Sequence, residues 1–482
     1  MLNPNINLLA YGTDSYKVSH WAFYPPGTTL VYSYGEPRTG GMFPTVTFFG
    51  LQYVLSHLEG EFVTTERIDE AEEIANAHLG PGVFNRAGWE FIRDNFNGRL
   101  PLRVQAIPEG LTVAESNCLY TIQNLGGEET KWLTNWFETI ISTVWYPTTV
   151  MTASREVRKI ILNYLELTGD PVGLPFKLHD FGMRGVSCLE QAAIGGGAHL
   201  ATGAMGTDTM IALDFVKRYY GADEMPAFSI RATEHSIMTA RGIEGEADVV
   251  RQVLDNTPND QMVAMVGDSY DMISFIEDIL ATPDIYERIV ARTAPVIIRP
   301  DSGTLPQIDV DVFRALERVF GSSFNDKGFA VLPDYVRMIQ GDGIKWYTPD
   351  WGSEYRHTVE DILQAFLEQR ISADNIAFGS GGGLLQQFDR DSQRFAIKCS
   401  YSERDGKAYE IFKRPATDPT KNSKRGRLGV MPNMDGELIT VSEAEAGQLN
   451  MLRDVFYSGL RMNLMTLEEV RSNAALPQTE SV

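Results

Sequence analysis

Asn375-Ile376-Ala377-Phe378-Gly379-Ser380-Gly381-Gly382-Gly383-Leu384-Leu385 reads as an apolar strand, a glycine turn and the start of a helix. Glycines at such a junction let backbone N–H groups turn inward around an anion, helped by a helix N-terminus. Without a ligand the same run is a tight turn. No Gly-Lys-Ser/Thr follows, so it is not a Walker loop.

Outward from this segment the arrangement recurs. From about Leu174 short apolar strands alternate with helical stretches, and each strand is followed by a small polar cluster. The clusters are His179-Asp180-Phe181-Gly182-Met183-Arg184, Gly206-Thr207-Asp208, Glu234-His235, Gly267-Asp268-Ser269, Arg299-Pro300-Asp301-Ser302-Gly303, Gln340-Gly341-Asp342-Gly343 and the glycine turn itself. Anchors at 180, 208, 235, 268, 301, 342 and 381 leave gaps of 28, 27, 33, 33, 41 and 39 residues. Each gap is the length of a strand, a helix and two loops. Polar residues after every strand suit an α/β fold of the incomplete (β/α) barrel kind, whose site lies at the C-terminal strand ends. An open doubly wound sheet, the alternative, gathers its polar loops near one switch point.

The flanks differ. In the first ~150 residues, by the usual periodicity rules, Thr29–Tyr34, Leu102–Ala106 and Leu111–Ala114 read as strands. Thr65–His78, Lys131–Val144 and Val150–Leu167 read as helices, the last two separated at Pro147. After Leu385, Arg394–Ser400, Ala408–Phe412 and Glu437–Val441 read as strands and Leu467–Ala475 as a closing helix. The organisation expected is a barrel over 151–387 and a second, β-rich α+β domain built from 1–150 and 388–482.

Composition narrows the function. The chain has 482 residues, Lys+Arg 42 against Asp+Glu 64, a net charge of −22, and 43% hydrophobic residues. This is a globular chain, not a disordered one. Its acidity argues against nucleic-acid and anionic-membrane partners. No run approaches the ~20 apolar residues of a membrane helix, and Met1–Ala10 lacks the basic start and apolar run of a signal peptide. Cys118, Cys188 and Cys399 form no CxxC pair, which suits reduced thiols and a cytoplasmic location.

An acidic chain that binds an anion needs local cations. Arg38, Arg299, Arg390, Lys398, Lys413 and Lys421 stand near glycines, carboxylates or the basic segment Lys413–Arg427, and together they suit a multiply charged anion such as pyrophosphate. Asp268, Asp271, Asp301 and Asp342 suit water-mediated Mg²⁺ or a ribose diol, or cap turns. His235, one of seven histidines, suits a base or a nucleophile, and His179 shares the ambiguity. No HExxH occurs. Phe181 can stack a flat ring, Arg184 can donate to a carbonyl and Asp208 can accept from an amide, a set that fits an aromatic carboxamide among other ligands.

The chain resembles the nicotinamide phosphoribosyltransferase family of type II phosphoribosyltransferases over nearly its whole length. The collinear runs are Thr13–Val18, Val31–Tyr34, Phe49–Tyr53, Trp132–Trp136, Lys177–Gly182, Gly206–Thr209, Glu234–Ser236, Asp268–Asp271, Ile298–Gly303, Ile339–Gly343, Ile376–Gln386 and Ser423–Leu428. The resemblance implies a homodimer with shared active sites that joins nicotinamide to 5-phosphoribosyl 1-pyrophosphate, giving nicotinamide mononucleotide and pyrophosphate in NAD salvage. It implies that Phe181 and Tyr16 of the partner subunit sandwich the pyridine ring. Asp208 would take the amide, Arg184 would approach opposite, and Asp14 would also bind substrate. Arg299 and Asp301 would flank ring and ribose, Gly341 and Asp342 would hold the ribose hydroxyls, and Gly381 and Gly382 the 5′-phosphate. Arg38, Arg390, Lys398, Lys413 and Lys421 would gather around pyrophosphate, which itself carries most of the Mg²⁺ ligation. His235, supported by Asp268, would be phosphorylated by ATP. His235, Asp268 and Asp301 are thus the implied catalytic residues. The alternative is a nicotinate phosphoribosyltransferase, with a carboxylate in place of the amide.

The chain also departs from the pattern. Ala396 stands where a serine is frequent, Arg231 where a small residue or proline is expected, and Lys345–His357 (KWYTPDWGSEYRH) matches poorly.

Overall fold

The computed structural model describes residues 6–416 and 422–477, which divide into two compact units. The first comprises 6–152, 215–223, 388–416 and 422–475, and the second 153–214, 224–387 and 476–477.

The first unit is organised by a seven-stranded sheet. Its spatial order is Lys407–Glu410, Phe395–Arg404, Thr28–Pro37, Tyr120–Asn124, Leu102–Ala106, Arg453–Tyr457 and Leu460–Arg461. Every pairing is antiparallel. N-terminal and C-terminal strands therefore interleave, with Thr28–Pro37 seated directly against Phe395–Arg404. In Leu102–Ala106 the burial alternates along the strand, as a half-buried sheet requires. Its core includes Trp89, Trp132 and Trp136, whose rings meet edge to face at 4.6–5.6 Å.

Two helical expectations fail here. Lys131–Val144 is not one helix but the short turns Leu133–Trp136 and Glu138–Ser142 after a 3₁₀ turn at Gly127–Thr130. Tertiary bonds win over periodicity, since Thr134 Oγ1 donates to Val31 O at 2.9 Å while both tryptophans turn toward Trp89. Pro147 does not separate helices either. The next helix runs Trp145–Thr168, and a proline in a first turn removes an N–H that has no partner anyway.

The second unit is the barrel. A seven-stranded sheet runs in the order Gly206–Thr207, Leu178–Asp180, Ile376–Ser380, Val336–Gln340, Val296–Arg299, Val263–Val266 and Arg231–Ala232. All pairs are parallel. The first and last strands in sequence lie side by side through Phe378 and Leu178, so the sheet curls back on itself, unlike an open doubly wound sheet. Across the remaining gap, Phe228 makes one parallel bridge to Gly206. The inner strand Val263–Val266 is a short apolar run buried throughout, as a parallel strand covered on both faces must be, whereas the edge strand Arg231–Ala232 is exposed. Among the described residues no helix is long and apolar enough to cross a membrane.

Candidate active site

Every polar cluster read from the sequence falls at a C-terminal strand end of the barrel. Phe181 follows Leu178–Asp180, Asp208 follows Gly206–Thr207, and His235 lies just past Arg231–Ala232. Asp268 follows Val263–Val266, while Asp301 and Asp342 come after Val296–Arg299 and Val336–Gln340. Parallel strands end together, so these side chains share one rim.

Asp180 is the anchor of the rim. It is fully buried, and its Oδ1 accepts from Gly182 N at 2.7 Å, which folds the turn carrying Arg184. Burial pushes its carboxyl up to about 6. Its backbone oxygen accepts from Asp208 N at 2.9 Å, so Asp208 sits next to the turn that begins with Phe181. Ser229 Oγ donates to Asp208 Oδ1. That leaves the second carboxylate oxygen of an exposed side chain to accept from a ligand.

Phe181 depends on a glycine. Its backbone N–H donates to Ser380 O at 2.9 Å, and its ring packs against Gly379, where a Cβ would stand 2.0 Å from Cε2. Gly381 has open space around its Cα, with only Phe181 O near. Gly382 is packed against Gly185. Within this turn it is Gly381 whose backbone is left open.

Two buried polar atoms at adjacent strand ends, Arg299 Nε and Gln340 Oε1, have no hydrogen-bond partner among the described residues. Buried polar groups are normally paired, so both atoms are free to meet a ligand or an ordered water. Arg299 Nη2 lies 3.6 Å from Asp301 Oδ1, and Gly341 packs against its aliphatic stem. Gln340 Nε2 donates to Asp342 O at 2.8 Å, which fixes the turn of the Asp342 loop.

His235 Nε2 is 3.0 Å from Asp268 Oδ1. Asp268 Oδ2 accepts from Ser302 Oγ and from Asp301 N at 3.2 Å. Burial raises the Asp268 carboxyl, but the bonds from Ser302, His235 and Asp301 outweigh it and hold it below the usual carboxylate range. Ser302 and Ser229 were not singled out by the sequence reading. Ser302 stood inside a quoted motif, whereas nothing local marked Ser229.

Apart from Arg299 on the barrel, the described residues of the expected cationic set lie in the first unit. Arg38, Arg390 and Lys398 line a cavity of about 110 Å³ together with Glu138, Ser142 and Ala396. Burial lowers the Lys398 ammonium, with Arg38 and Lys413 adding to the effect and Glu138 and Glu36 opposing it. Lys413 is therefore an electrostatic neighbour of the cavity. Glu138 is held by buried Lys17 at 3.2 Å, a pair unmarked in the sequence reading. Lys421 lies outside the described residues. Asp14 Oδ2 accepts from Thr139 Oγ1 at 2.7 Å, and Tyr16 is 62% exposed with its ring edge-on to His20. Among the described residues no group of three or more His, Cys, Asp or Glu could hold a metal ion.

Of the departures, Ala396 lines the cationic cavity, and Arg231 is turned to Gln261 Oε1 (3.1 Å) and Asn256 O (3.3 Å). Lys345–His357 forms a β-hairpin, Trp346–Tyr347 with Arg356–His357.

The model of the nicotinate phosphoribosyltransferase (NAPRTase) family matches residues 176–460, and that of the nicotinamide phosphoribosyltransferase N-terminal domain matches 7–104. The nicotinamide phosphoribosyltransferase of Xanthomonas campestris is 41% identical over 97% of this chain and 98% of its own. That of Acinetobacter baylyi is 30% identical over 96% of each. A nicotinate-nucleotide pyrophosphorylase from Pyrococcus furiosus shares the fold, with TM-score 0.62 and 14% identity over 98% of this chain and 96% of that one. Human nicotinic acid phosphoribosyltransferase does so with TM-score 0.55 and 15% identity over 96% and 92%. The strand-end rim is thus found on a matching barrel in a matching sequence, and the chain belongs to the nicotinate phosphoribosyltransferase family, with nicotinamide phosphoribosyltransferases among its relatives.

Proposed function

We propose that this enzyme joins nicotinamide to 5-phosphoribosyl 1-pyrophosphate, releasing nicotinamide mononucleotide and pyrophosphate. The observation that carries the choice of amide over acid is Asp208. A carboxylate beside Phe181, with one oxygen taken by Ser229, accepts an amide N–H₂ and repels a nicotinate carboxylate. The nicotinate reading draws on the name of the family model over 176–460, and the same residue separates the two.

In this reading the pyridine nitrogen attacks the anomeric carbon as the bond to pyrophosphate breaks. The ring stacks on Phe181, and Tyr16, exposed on the first unit, covers it from the partner subunit of a homodimer. Asp14 assists substrate binding. Arg184 donates to the amide carbonyl, and Asp301 with Arg299 bounds the ribose. Gly341 and Asp342 meet its hydroxyls, and Gly381 and Gly382 offer backbone N–H groups to the 5′-phosphate. Arg38, Arg390, Lys398, Lys413 and Lys421 take the leaving pyrophosphate, and Mg²⁺ bound through pyrophosphate would supply further neutralisation of its charge. No protein nucleophile is needed for this step.

ATP enters as a stimulating co-substrate at His235. A ring that donates from Nε2 to Asp268 in its neutral form offers the lone pair of Nδ1. Attack of Nδ1 on the γ-phosphorus breaks the bond to ADP and leaves a phosphohistidine oriented by Asp268. The free thiols suit a cytoplasmic setting.

The deciding experiment incubates the purified chain with 5-phosphoribosyl 1-pyrophosphate, Mg²⁺ and either nicotinamide or nicotinate, with and without ATP. Mononucleotide from nicotinamide is expected. A preference for nicotinate would overturn the assignment of Asp208.

A further inference from the structure

The geometry points to Lys345 as a further phosphate-binding residue, its ammonium adding charge beside the glycine turn Gly381–Gly383. This rests on the reading above, that the glycine turn takes the 5′-phosphate.

The first observation is contact. A Cβ on Gly383 would stand 2.3 Å from Ile344 O, 3.1 Å from Lys345 Cβ and 3.2 Å from Lys345 Cα. Glycine at 383 is what lets the backbone of 344–345 lie directly on the turn. The second observation is rigidity. Lys345 N donates to Thr358 Oγ1 at 3.2 Å, and Lys345 O accepts from Thr358 N at 3.1 Å and Thr358 Oγ1 at 3.0 Å. The next residue is clamped in both directions, since Trp346 N donates to Gln387 Oε1 at 3.0 Å and Gln387 Nε2 donates back to Trp346 O. Gln387 belongs to the segment that follows the glycine turn, so hairpin and turn are tied together. Trp346 closes edge-on over buried His357 at 4.8 Å.

The third observation is that only the side chain is left uncommitted. Lys345 is exposed, and among the described residues it makes no ion pair. The backbone of Lys345 is fixed against the glycine turn while its side chain is exposed, so the ammonium is free to swing toward an anion held there. The flexible lysine stem brings a point charge to a phosphate without demanding one geometry. The hairpin thus gives a reason for its own sequence, because it carries the lysine to the turn.

The test uses the full chain, Lys345→Met and Lys345→Arg. Calorimetry measures binding of ribose 5-phosphate, nicotinamide mononucleotide and nicotinamide riboside, and kinetics measures KM and kcat. Lys345→Met is expected to weaken both phosphate ligands and raise KM for 5-phosphoribosyl 1-pyrophosphate by about tenfold, as loss of one charge-assisted contact does. The riboside and kcat stay as in the wild type, and Lys345→Arg recovers most of the loss. Unchanged phosphate affinity in Lys345→Met overturns the inference. So does an equal loss for the riboside, or equal damage in Lys345→Arg, since either assigns the effect to the hairpin backbone. Ribose 5-phosphate binding does not require turnover, so an inactive wild type would overturn the functional reading alone.

Discussion

His235 and Asp268 face each other across adjacent barrel strands, Nε2 to Oδ1 at 3.0 Å, with the histidine side chain 44% exposed and the carboxylate only 5%. The asymmetry divides the labour. The carboxylate is fixed by Ser302 and Asp301 and orients the ring, and the ring is open to react. His235→Ala is expected to keep formation of mononucleotide without ATP and to lose its stimulation by ATP. Asp268→Asn should lower the acid-labile phosphate trapped on the protein from γ-labelled ATP by about tenfold or more, as loss of an orienting charged bond does. Undiminished labelling in His235→Ala would move the phosphorylation elsewhere.

Asp268 also sets a limit at low pH. Its folded carboxyl is held below the ordinary value, so the stabilisation it gives is present above the unfolded value and is lost as pH falls through the folded one. Wild type should therefore lose stability more steeply than Asp268→Asn below about pH 4. Parallel melting curves for the two proteins over that range would contradict this.

Asp208→Asn replaces an acceptor by a group that can also donate. Nicotinamide kcat/KM should fall about tenfold to a hundredfold, the range for one charged hydrogen bond, and nicotinate use should rise. A fall for both substrates alike would mean that Asp208 shapes the loop through Ser229 rather than reading the ligand.

Gly379→Ala tests the ring position. Its Cβ would collide with Phe181 Cε2 at 2.0 Å, and the strand backbone cannot yield without breaking the bond from Phe181 N to Ser380 O. KM for nicotinamide should rise about threefold to tenfold from lost stacking, with KM for 5-phosphoribosyl 1-pyrophosphate little altered. The reverse pattern would place the ring outside the nicotinamide site.

The barrel was legible because its inner strands are largely buried and therefore read as short apolar runs, each ended by polar residues that the interior cannot hold. Val263–Val266 before Gly267-Asp268 is a clear instance. The Lys131–Val144 segment was misread because its helical period is real but subordinate to contacts made far away in sequence, Thr134 with Val31 and the tryptophans with Trp89. The same distance hid Ser229 on Asp208 and Lys17 on Glu138, which have no local signature. The role of the Lys345–His357 hairpin was invisible for another reason. Its meaning lies in contacts with Gly383 and Gln387 that only the folded chain supplies.

Asp309 sits in the first turn of the helix Gln307–Phe320, fully buried, and neither carboxylate oxygen has a partner among the described residues. Burial pushes its carboxyl up to about 8. The unfolded value is about 3.9, so between these two pH values the folded chain holds a proton that the unfolded chain releases. Stability from this group is then fully present below the unfolded value and drains away as pH rises toward the folded one. Asp309→Asn keeps the shape and abolishes the titration. The variant should match the wild type near pH 4 and exceed it at pH 8, by at least about 1 kcal/mol, since each tenfold difference in proton affinity between the folded and unfolded chain is worth about 1.4 kcal/mol. Thermal melts of both proteins across pH 5–8 would read the difference directly. If the two melting temperatures run parallel over that range, Asp309 is paired in solution and its burial costs the fold nothing.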